Sequence, residues 1–104
     1  MIVPPDAPAG DAHAWHLYPL RLAAHADISR DHFIERLYAL GIGCSVHYIP
    51  LHLQPYWRDR YGLTPAMFPH SQQAYEGLLS LPAYSLMGDD DTQRVIDAVR
   101  GLLA

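Results

Sequence analysis

The sequence predicts an α+β domain, in which a small sheet of about three short strands is covered by helices on one side to make a two-layer sandwich. Two observations predict this class. Apolar residues recur at the three-and-four spacing of a buried helical face in Arg30–Leu40 and in Asp89–Leu103, and short apolar runs interrupted by proline lie elsewhere along the chain. Because strands and helices alternate within only 104 residues, we expect them to share one modest core.

The first part of the chain predicts a lead-in followed by a strand. Met1–Ala12 is rich in proline, alanine, glycine and aspartate and has no periodic pattern, which is typical of a linker or an extended segment. Ala14–Leu22 alternates large apolar groups on both of its faces, which predicts a strand. Pro19 cannot donate a ladder hydrogen bond, so we expect an edge strand or a bulge there.

A helix with clear start and stop signals comes next. Ser29 is a suitable N-cap for Arg30–Leu40, and Gly41 supplies the stop. Ile42–Tyr48 then predicts a second short strand.

The second half of the chain predicts two or three more helices and a third strand. Pro55–Tyr61 is expected to form a short helix or turn, and Leu63–Phe68 a surface loop. A helical stripe begins at Pro69 and continues to Ser80, and Leu81–Tyr84 predicts a third short strand or extended run. The last helix opens at Gly88–Asp91, where three carboxylates suit the positive end of the helix dipole.

Composition excludes several classes of partner and site. The net charge is −4 with no basic run, so we expect no nucleic-acid partner. Cys44 is the only cysteine, so no internal disulfide can form and a reducing compartment fits best. No apolar run approaches the ~20 residues of a membrane span, and the start of the chain lacks the pattern of a signal peptide. These features predict a soluble, cytoplasmic protein.

The chain contains no lysine. All seven of its basic residues other than histidine are arginines. Chemistry that needs a lysine Schiff base therefore cannot be carried by this chain alone.

The stretch Gly41–Trp57 holds the densest group of candidate binding residues. Two imidazoles, an amide and aromatic rings with polar tips lie at the end of the predicted second strand and in the loop after it, which two prolines restrict to few shapes. Imidazole and amide groups bind hydroxyls, and aromatic rings cover flat ligand faces. The candidates are His47, Tyr48, His52, Gln54 and Tyr56.

Simpler interpretations of these residues stay open. His47 could be a partly buried histidine satisfied inside the fold, and Tyr56 and Trp57 are more often core or interface anchors than ligand platforms. Cys44 is most simply a small buried hydrophobe. A zinc site from Cys44, His47 and His52 has no common structural spacing. Asp89–Asp91 is first a helix-start group and only distantly a metal site.

Four segments together resemble the C-terminal end of the DegT/DnrJ/StrS sugar aminotransferases. The match covers nearly the whole chain after the first dozen residues, and its most specific parts are HYIPLHLQPYW and the downstream LSLPAY. The segments are HAWHLYPLRL (His13–Leu22), ISRDHFIERLYALGIGCSVHYIPLHLQPYW (Ile28–Trp57), LLSLPAY (Leu78–Tyr84) and DDDTQRVIDAVRGLL (Asp89–Leu103).

The resemblance implies a pyridoxal-phosphate-dependent enzyme of fold type I, which transfers an amino group, usually from glutamate, to a keto sugar carried on a nucleotide. Such enzymes resemble one another in having a large cofactor domain followed by a small C-terminal domain, and in acting as homodimers. Residues 13–104 match only the small domain, and residues 1–12 are then a lead-in from a missing large domain. The family's Schiff-base lysine lies in the large domain.

The roles that the resemblance implies for this chain are in substrate binding. His47 and Tyr48 match the family's HY pair at the strand end that faces the active-site cleft, and His52, Gln54 and Tyr56 are second candidates that shape the cleft. We expect no catalytic residue, no metal ligand and no cofactor bound to this chain alone. The leading hypothesis is the C-terminal domain of a sugar aminotransferase, inactive by itself. The alternative is a free-standing binding or protein-interaction module derived from that domain.

Overall fold

The computed structural model describes all 104 residues, and it contains four α-helices and three β-strands. Two single-turn 3-10 helices, at Leu51–Leu53 and Pro65–Met67, lie on either side of the second α-helix. In chain order the elements are β1 (Tyr18–Arg21), α1 (Arg30–Ala39), β2 (Ser45–Val46), α2 (Pro55–Tyr61), α3 (Pro69–Gly77), β3 (Leu78–Leu81) and α4 (Asp89–Leu103).

The three strands form one antiparallel sheet in the order β1-β3-β2. The last strand in the chain is therefore the central one, with Leu20 of β1 opposite Leu79. On the other side of β3, Ser45 of β2 lies opposite Ser80. Because β1 is an edge strand, Pro19 can be accommodated without breaking a central ladder, which confirms the interpretation of that proline.

The core lies between one face of this sheet and the helices α1 and α4. Phe33 and Leu37, four residues apart on α1, have no exposed surface. Val95 and Val99, also four apart, are buried on α4 and belong to the same cluster. Spacing by four residues places two side chains on one helical face, so both helices present a stripe to the sheet. The predicted α+β class, a small sheet with helices on one side, is confirmed.

The first two strands are shorter than predicted. The expected Ala14–Leu22 is paired only over Tyr18–Arg21, and within the unpaired part Trp15 has a φ of 45°, which is not an extended conformation. The expected Ile42–Tyr48 is paired only at Ser45–Val46, the two residues that lie opposite the central strand. An alternating pattern predicts which residues are extended, whereas pairing depends on the length of the neighbouring strand.

The third strand was predicted too late in the chain. The helix expected to run from Pro69 to Ser80 ends at Gly77, and β3 follows at once over Leu78–Leu81 instead of at Leu81–Tyr84. The backbone of Leu22 approaches Gly77 so closely that a Cβ on this glycine would lie 2.5 Å from the Leu22 oxygen. The Leu22 N–H also donates to the Gly77 carbonyl, at 3.0 Å. This tertiary contact stops the helix at a point that the spacing of its leucines did not mark.

The lead-in is anchored beside β1 by one pair of backbone hydrogen bonds. The Ile2 N–H donates to the Arg21 carbonyl at 2.8 Å, and the Arg21 N–H donates to the Ile2 carbonyl at 3.0 Å. No regular strand or helix follows until Tyr18. None of the helices combines the length and the apolar character needed to cross a bilayer.

Candidate functional site

A groove of about 620 Å³ runs along the second edge strand and the loop that follows it. Side chains alternate between the two faces of a strand, so Ser80 points away from the face that Leu79 buries against the helices. The groove contains three of the five predicted binding residues. Its lining consists of Leu17, Ser45, Val46, His47, Tyr48, Ile49, Gln54, Tyr75 and Ser80.

His47 is held in this groove by a hydrogen bond to the central strand. Its Nε2 lies 2.9 Å from the Ser80 Oγ. Ser80 is 5% exposed, so its hydroxyl is a buried partner on the central strand of the sheet. No protein group bonds the other ring nitrogen of His47, Nδ1. The imidazole therefore has one side occupied by the fold and one side free for a ligand.

The loop after His47 returns to the groove because of its proline. Pro50 starts the 3-10 turn, and the Leu53 N–H donates to the Pro50 carbonyl at 2.9 Å. This reversal brings Gln54 back beside Ile49, where the Gln54 amide nitrogen donates to the Ile49 carbonyl at 3.3 Å. Tyr48 is fully exposed at the same place. An amide, an imidazole and a phenol thus line one open surface.

His52 lies elsewhere, inside the domain. It is 4% exposed, its Nε2 lies 2.9 Å from Gln72 Oε1, and its ring stacks on Phe68 with centroids 5.1 Å apart. The Gln72 amide nitrogen donates to the Glu76 carboxylate at 2.8 Å, which directs the amide oxygen of Gln72 to His52. His52 therefore fixes the loop from within by joining it to α3, and it does not reach the groove.

Tyr56 also lies outside the groove, on a helix that buries none of its residues. Its ring packs edge-on against Trp57, with centroids 5.2 Å apart. Trp57 in turn stacks on Tyr61, one helical turn later, at 5.9 Å. Every residue of α2 is exposed, so these rings form an aromatic surface next to the loop instead of part of its floor.

Sequence reasoning missed three groove residues that carry a polar group, Ser45, Tyr75 and Ser80. Ser80 is the one polar residue in the four-residue strand LLSL, and that interruption of an apolar strand was a usable signal. Tyr75 gave no local signal, because its placement depends on Arg30, far away in the sequence. The Arg30 guanidinium lies 5.2 Å from the centre of the Tyr75 ring and donates to the Tyr75 carbonyl at 3.1 Å.

The other residues considered as possible sites, Cys44 and Asp89–Asp91, are explained by the fold itself. Burial raises the pKa of the Cys44 thiol above its ordinary value, as expected of a thiol surrounded by protein. The structure brings no group of three His, Cys, Asp or Glu side chains together in a way that could hold a metal ion. Asp89, Asp90 and Asp91 form the first turn of α4, and the Tyr84 hydroxyl donates to Asp91 at 3.4 Å.

Comparison with known proteins relates the whole domain to one family. The model of the DegT/DnrJ/EryC1/StrS aminotransferase family matches residues 1–100. An uncharacterised protein of Methanocaldococcus jannaschii is 45% identical over 93 residues, which are 88% of this chain and 24% of that protein. The spore coat polysaccharide biosynthesis protein SpsC of Bacillus subtilis is 43% identical over 93 residues, with the same two coverages.

A solved structure agrees with the sequence matches. The aminotransferase TlmJ from Streptoalloteichus hindustanus superposes with a TM-score of 0.74 at 32% identity, over 96% of this chain and 25% of its own. The chain thus spans about a quarter of the length of the curated relatives it matches. On the family match over residues 1–100, the chain belongs to the DegT/DnrJ/EryC1/StrS aminotransferase family.

Proposed function

We propose that this chain is the small C-terminal domain of a pyridoxal-phosphate-dependent sugar aminotransferase. The enzyme would move an amino group from glutamate to a keto sugar linked to a nucleotide. Residues 13–104 would form the small domain, and residues 1–12 would connect it to a large domain. The family membership supports the reaction class, and the name of the Bacillus subtilis relative, a polysaccharide biosynthesis protein, supports a sugar substrate.

The observation that carries this proposal is the groove formed by His47, Tyr48 and Gln54. A sugar offers hydroxyl groups that both donate and accept, and imidazole and amide groups match them. The exposed ring of Tyr48 and the ring of Tyr75 can cover a flat ligand surface. We assign to this surface the sugar side of the active-site cleft, with His47 as its central binding residue.

The two other predicted residues would act at a distance from the sugar. His52 supports the loop from inside, so its part would be to keep Gln54 and Tyr48 in place. Tyr56 belongs to the exposed aromatic surface of α2, which would face the large domain or the second subunit of a homodimer. Both would shape the cleft without touching the reacting atoms.

Pyridoxal phosphate does not fit the residues of this chain. No lysine is available to form its Schiff base, and the groove has no arginine with which to bind its phosphate. We therefore assign the cofactor to the large domain and derive no chemical step from this chain. Its own contribution would be to bind and orient the sugar and to exclude water when the cleft closes. By itself the chain would be inactive.

The test is a chimera in which residues 13–104 replace the matching quarter of TlmJ. We expect amino transfer from glutamate to a nucleotide-linked keto sugar by the chimera, and none by the isolated chain supplied with pyridoxal phosphate. His47→Ala should lower kcat/KM for the sugar about tenfold, as loss of one good hydrogen bond implies, and leave the half-reaction with glutamate unchanged. Tyr38→Ala, at an exposed site on α1, is the matched control.

Three results would overturn the proposal, and the first is a folded chimera that transfers no amino group. Amino transfer by the isolated chain would show that no second domain is needed. A His47→Ala chimera as active towards the sugar as the Tyr38→Ala chimera would remove His47, and with it the groove, from substrate binding.

A further inference from the structure

We propose that Ser80 holds His47 in the tautomer with its proton on Nδ1, so that the groove presents a fixed hydrogen-bond donor and selects ligands with an oxygen acceptor at that point. Such acceptors are the oxygens of phosphate, keto and hydroxyl groups. The choice of tautomer stands on the geometry of this chain alone. Only the identity of the ligand rests on the proposed function.

The hydroxyl of Ser80 decides which nitrogen of His47 carries the proton. This side chain is buried in the central strand, and its Oγ has one hydrogen-bond partner, the Nε2 of His47 at 2.9 Å. A buried hydroxyl hydrogen without an acceptor costs free energy. The neutral Nε2 of His47 is the acceptor that lies within reach. If His47 instead donated from Nε2, the Ser80 proton would be left without a partner.

The other nitrogen of the ring, Nδ1, then carries the proton and faces the groove. A neutral imidazole carries one proton, so an unprotonated Nε2 puts that proton on Nδ1. Nδ1 of His47 has no protein partner. Every buried side-chain nitrogen and oxygen of this chain has a partner, so Nδ1 is not buried and solvent reaches it. His47 lines the groove, and the exposed N–H is therefore available to a ligand.

His52 serves as an internal comparison, because its surroundings demand the opposite tautomer. Its Nε2 faces the amide oxygen of Gln72, which can only accept, while the amide nitrogen of Gln72 is used by Glu76. His52 must then carry its proton on Nε2. Two histidines five residues apart in the sequence are thus held in different tautomers by two different hydrogen-bond partners.

A fixed Nδ1–H has a consequence for specificity. A donor at this point pairs with a phosphate, keto or hydroxyl oxygen and offers nothing to an ammonium group, which has only donors. An amino group in its charged form would leave two donors facing each other. We infer that His47 faces an oxygen of the ligand and not its amino group.

The test is ¹⁵N NMR of the histidine rings in the whole 104-residue chain. The spectra are recorded about two pH units above the ordinary imidazole pKa of ~6.5, where rings are neutral. We expect a protonated Nδ1 and an unprotonated Nε2 for His47, and the reverse for His52. A protonated Nε2 on His47 would overturn the proposal directly, without any variant.

Three substitutions separate the Ser80 hydroxyl from the general effect of mutation. Ser80→Ala should release His47 into a mixture of both tautomers, and Ser80→Thr should keep the Nδ1–H form. Ser45→Ala is the matched control, since Ser45 lines the same groove opposite Ser80 and makes no hydrogen bond to His47. The His52 signals report that each variant is folded. Retention of the single tautomer in folded Ser80→Ala would contradict the role of Ser80.

Ligand selection is tested in the TlmJ chimera. There, Ser80→Ala should raise KM for the nucleotide-linked sugar about threefold to tenfold, the range expected for one neutral hydrogen bond, and Ser80→Thr should restore it. One outcome is that NMR shows the stated tautomer while Ser80→Ala leaves KM unchanged. In that case the proposal that His47 selects the ligand is wrong, and the tautomer assignment still holds. If the chimera transfers no amino group at all, only the proposed function is contradicted.

Discussion

At the scale of single residues, four fully buried side chains form the centre of the core. Leu20, Phe33, Leu37 and Leu79 have essentially no exposed surface, and they join both strands of the β1–β3 pair to α1. Only 11 of the 104 residues are buried, so the loss of any one of these four removes a large share of the core. The spacing in the sequence predicted the two α1 residues, because apolar positions four apart share a helical face.

Phe33→Ala should lower the free energy of unfolding by about 3–5 kcal/mol, since it removes the transfer energy of a buried ring and leaves a cavity. Urea denaturation of the isolated chain measures this difference. Tyr38→Ala, on the exposed side of the same helix, is the control and should change stability by less than about 0.5 kcal/mol. Equal losses in the two variants would contradict the assignment of the core.

The thiol of Cys44 gives a prediction about pH. Burial raises its pKa above the ordinary value of 9.0, because the thiolate is poorly solvated in the folded chain. When pH rises past 9.0, the Cys44 thiol ionises in the unfolded chain before it ionises in the folded chain. The free energy of unfolding therefore falls as pH rises towards the folded pKa. Wild type should therefore lose more stability than Cys44→Ala between pH 8 and pH 10. Parallel pH profiles for the two proteins would refute the burial effect.

The binding residues show how far residue-level prediction reaches. His47, Tyr48 and Gln54 were predicted as candidates from the loop sequence, and the structure places them in one groove. Their role in binding stays a prediction. His52 could not be separated from them by sequence, because its partner Gln72 comes from α3 and only the fold brings the two together.

At the scale of elements, local start and stop signals predicted the helices well and the strands less well. Helix α1 has Ser29 as its N-cap, whose Oγ accepts from the His32 N–H, and it ends before Gly41, which has a φ of 74°. These signals are local, so sequence alone reveals them. Strand β3 depends on pairing with β1 and β2 and on the close approach of Leu22 to Gly77, which no local pattern encodes.

Gly77→Ala tests this account of the junction between α3 and β3. An added Cβ would lie 2.5 Å from the Leu22 carbonyl oxygen, a backbone atom that cannot move away freely. We expect a loss of about 1–3 kcal/mol in unfolding free energy, typical of overpacking.

Gly101→Ala is the matched control for that substitution. Gly101 lies inside α4, and its Cβ would meet no atom within 4 Å. Alanine is the better helix former, so this change should stabilise the domain by up to about 1 kcal/mol. If both substitutions stabilise the domain in thermal or urea unfolding, the close approach at Gly77 is not the reason that α3 ends there.

At the scale of the whole molecule, the chain is extended for its length and exposes much apolar surface. Its radius of gyration is 15.9 Å, whereas a compact domain of this size has about 13 Å. Five of the eighteen exposed large apolar side chains lie in one stretch, Gln54–Phe68, which we call the aromatic segment. These exposed side chains are Tyr56, Trp57, Tyr61, Met67 and Phe68. Large exposed apolar patches mark surfaces that contact other proteins.

We expect the isolated chain to associate as its concentration rises, because the aromatic segment has nothing to cover it. Sedimentation velocity over a range of concentrations measures this. Trp57→Gln should weaken association, and Tyr38→Gln, which removes an exposed ring outside the aromatic segment, should not. A monodisperse monomer at high concentration would contradict this use of the segment and would favour a free-standing module.

The central claim is that this domain works as one part of a larger polypeptide, and the most direct measurement is the mass of that polypeptide in its source cells. An antibody raised against residues 13–104 detects it in a cell extract. The 93 matched residues make up 24% of the length of the curated relatives, so we predict a band roughly four times as heavy as the domain. A band at 11.7 kDa would mean that the domain exists alone, and it would contradict the proposed place of this chain within a sugar aminotransferase.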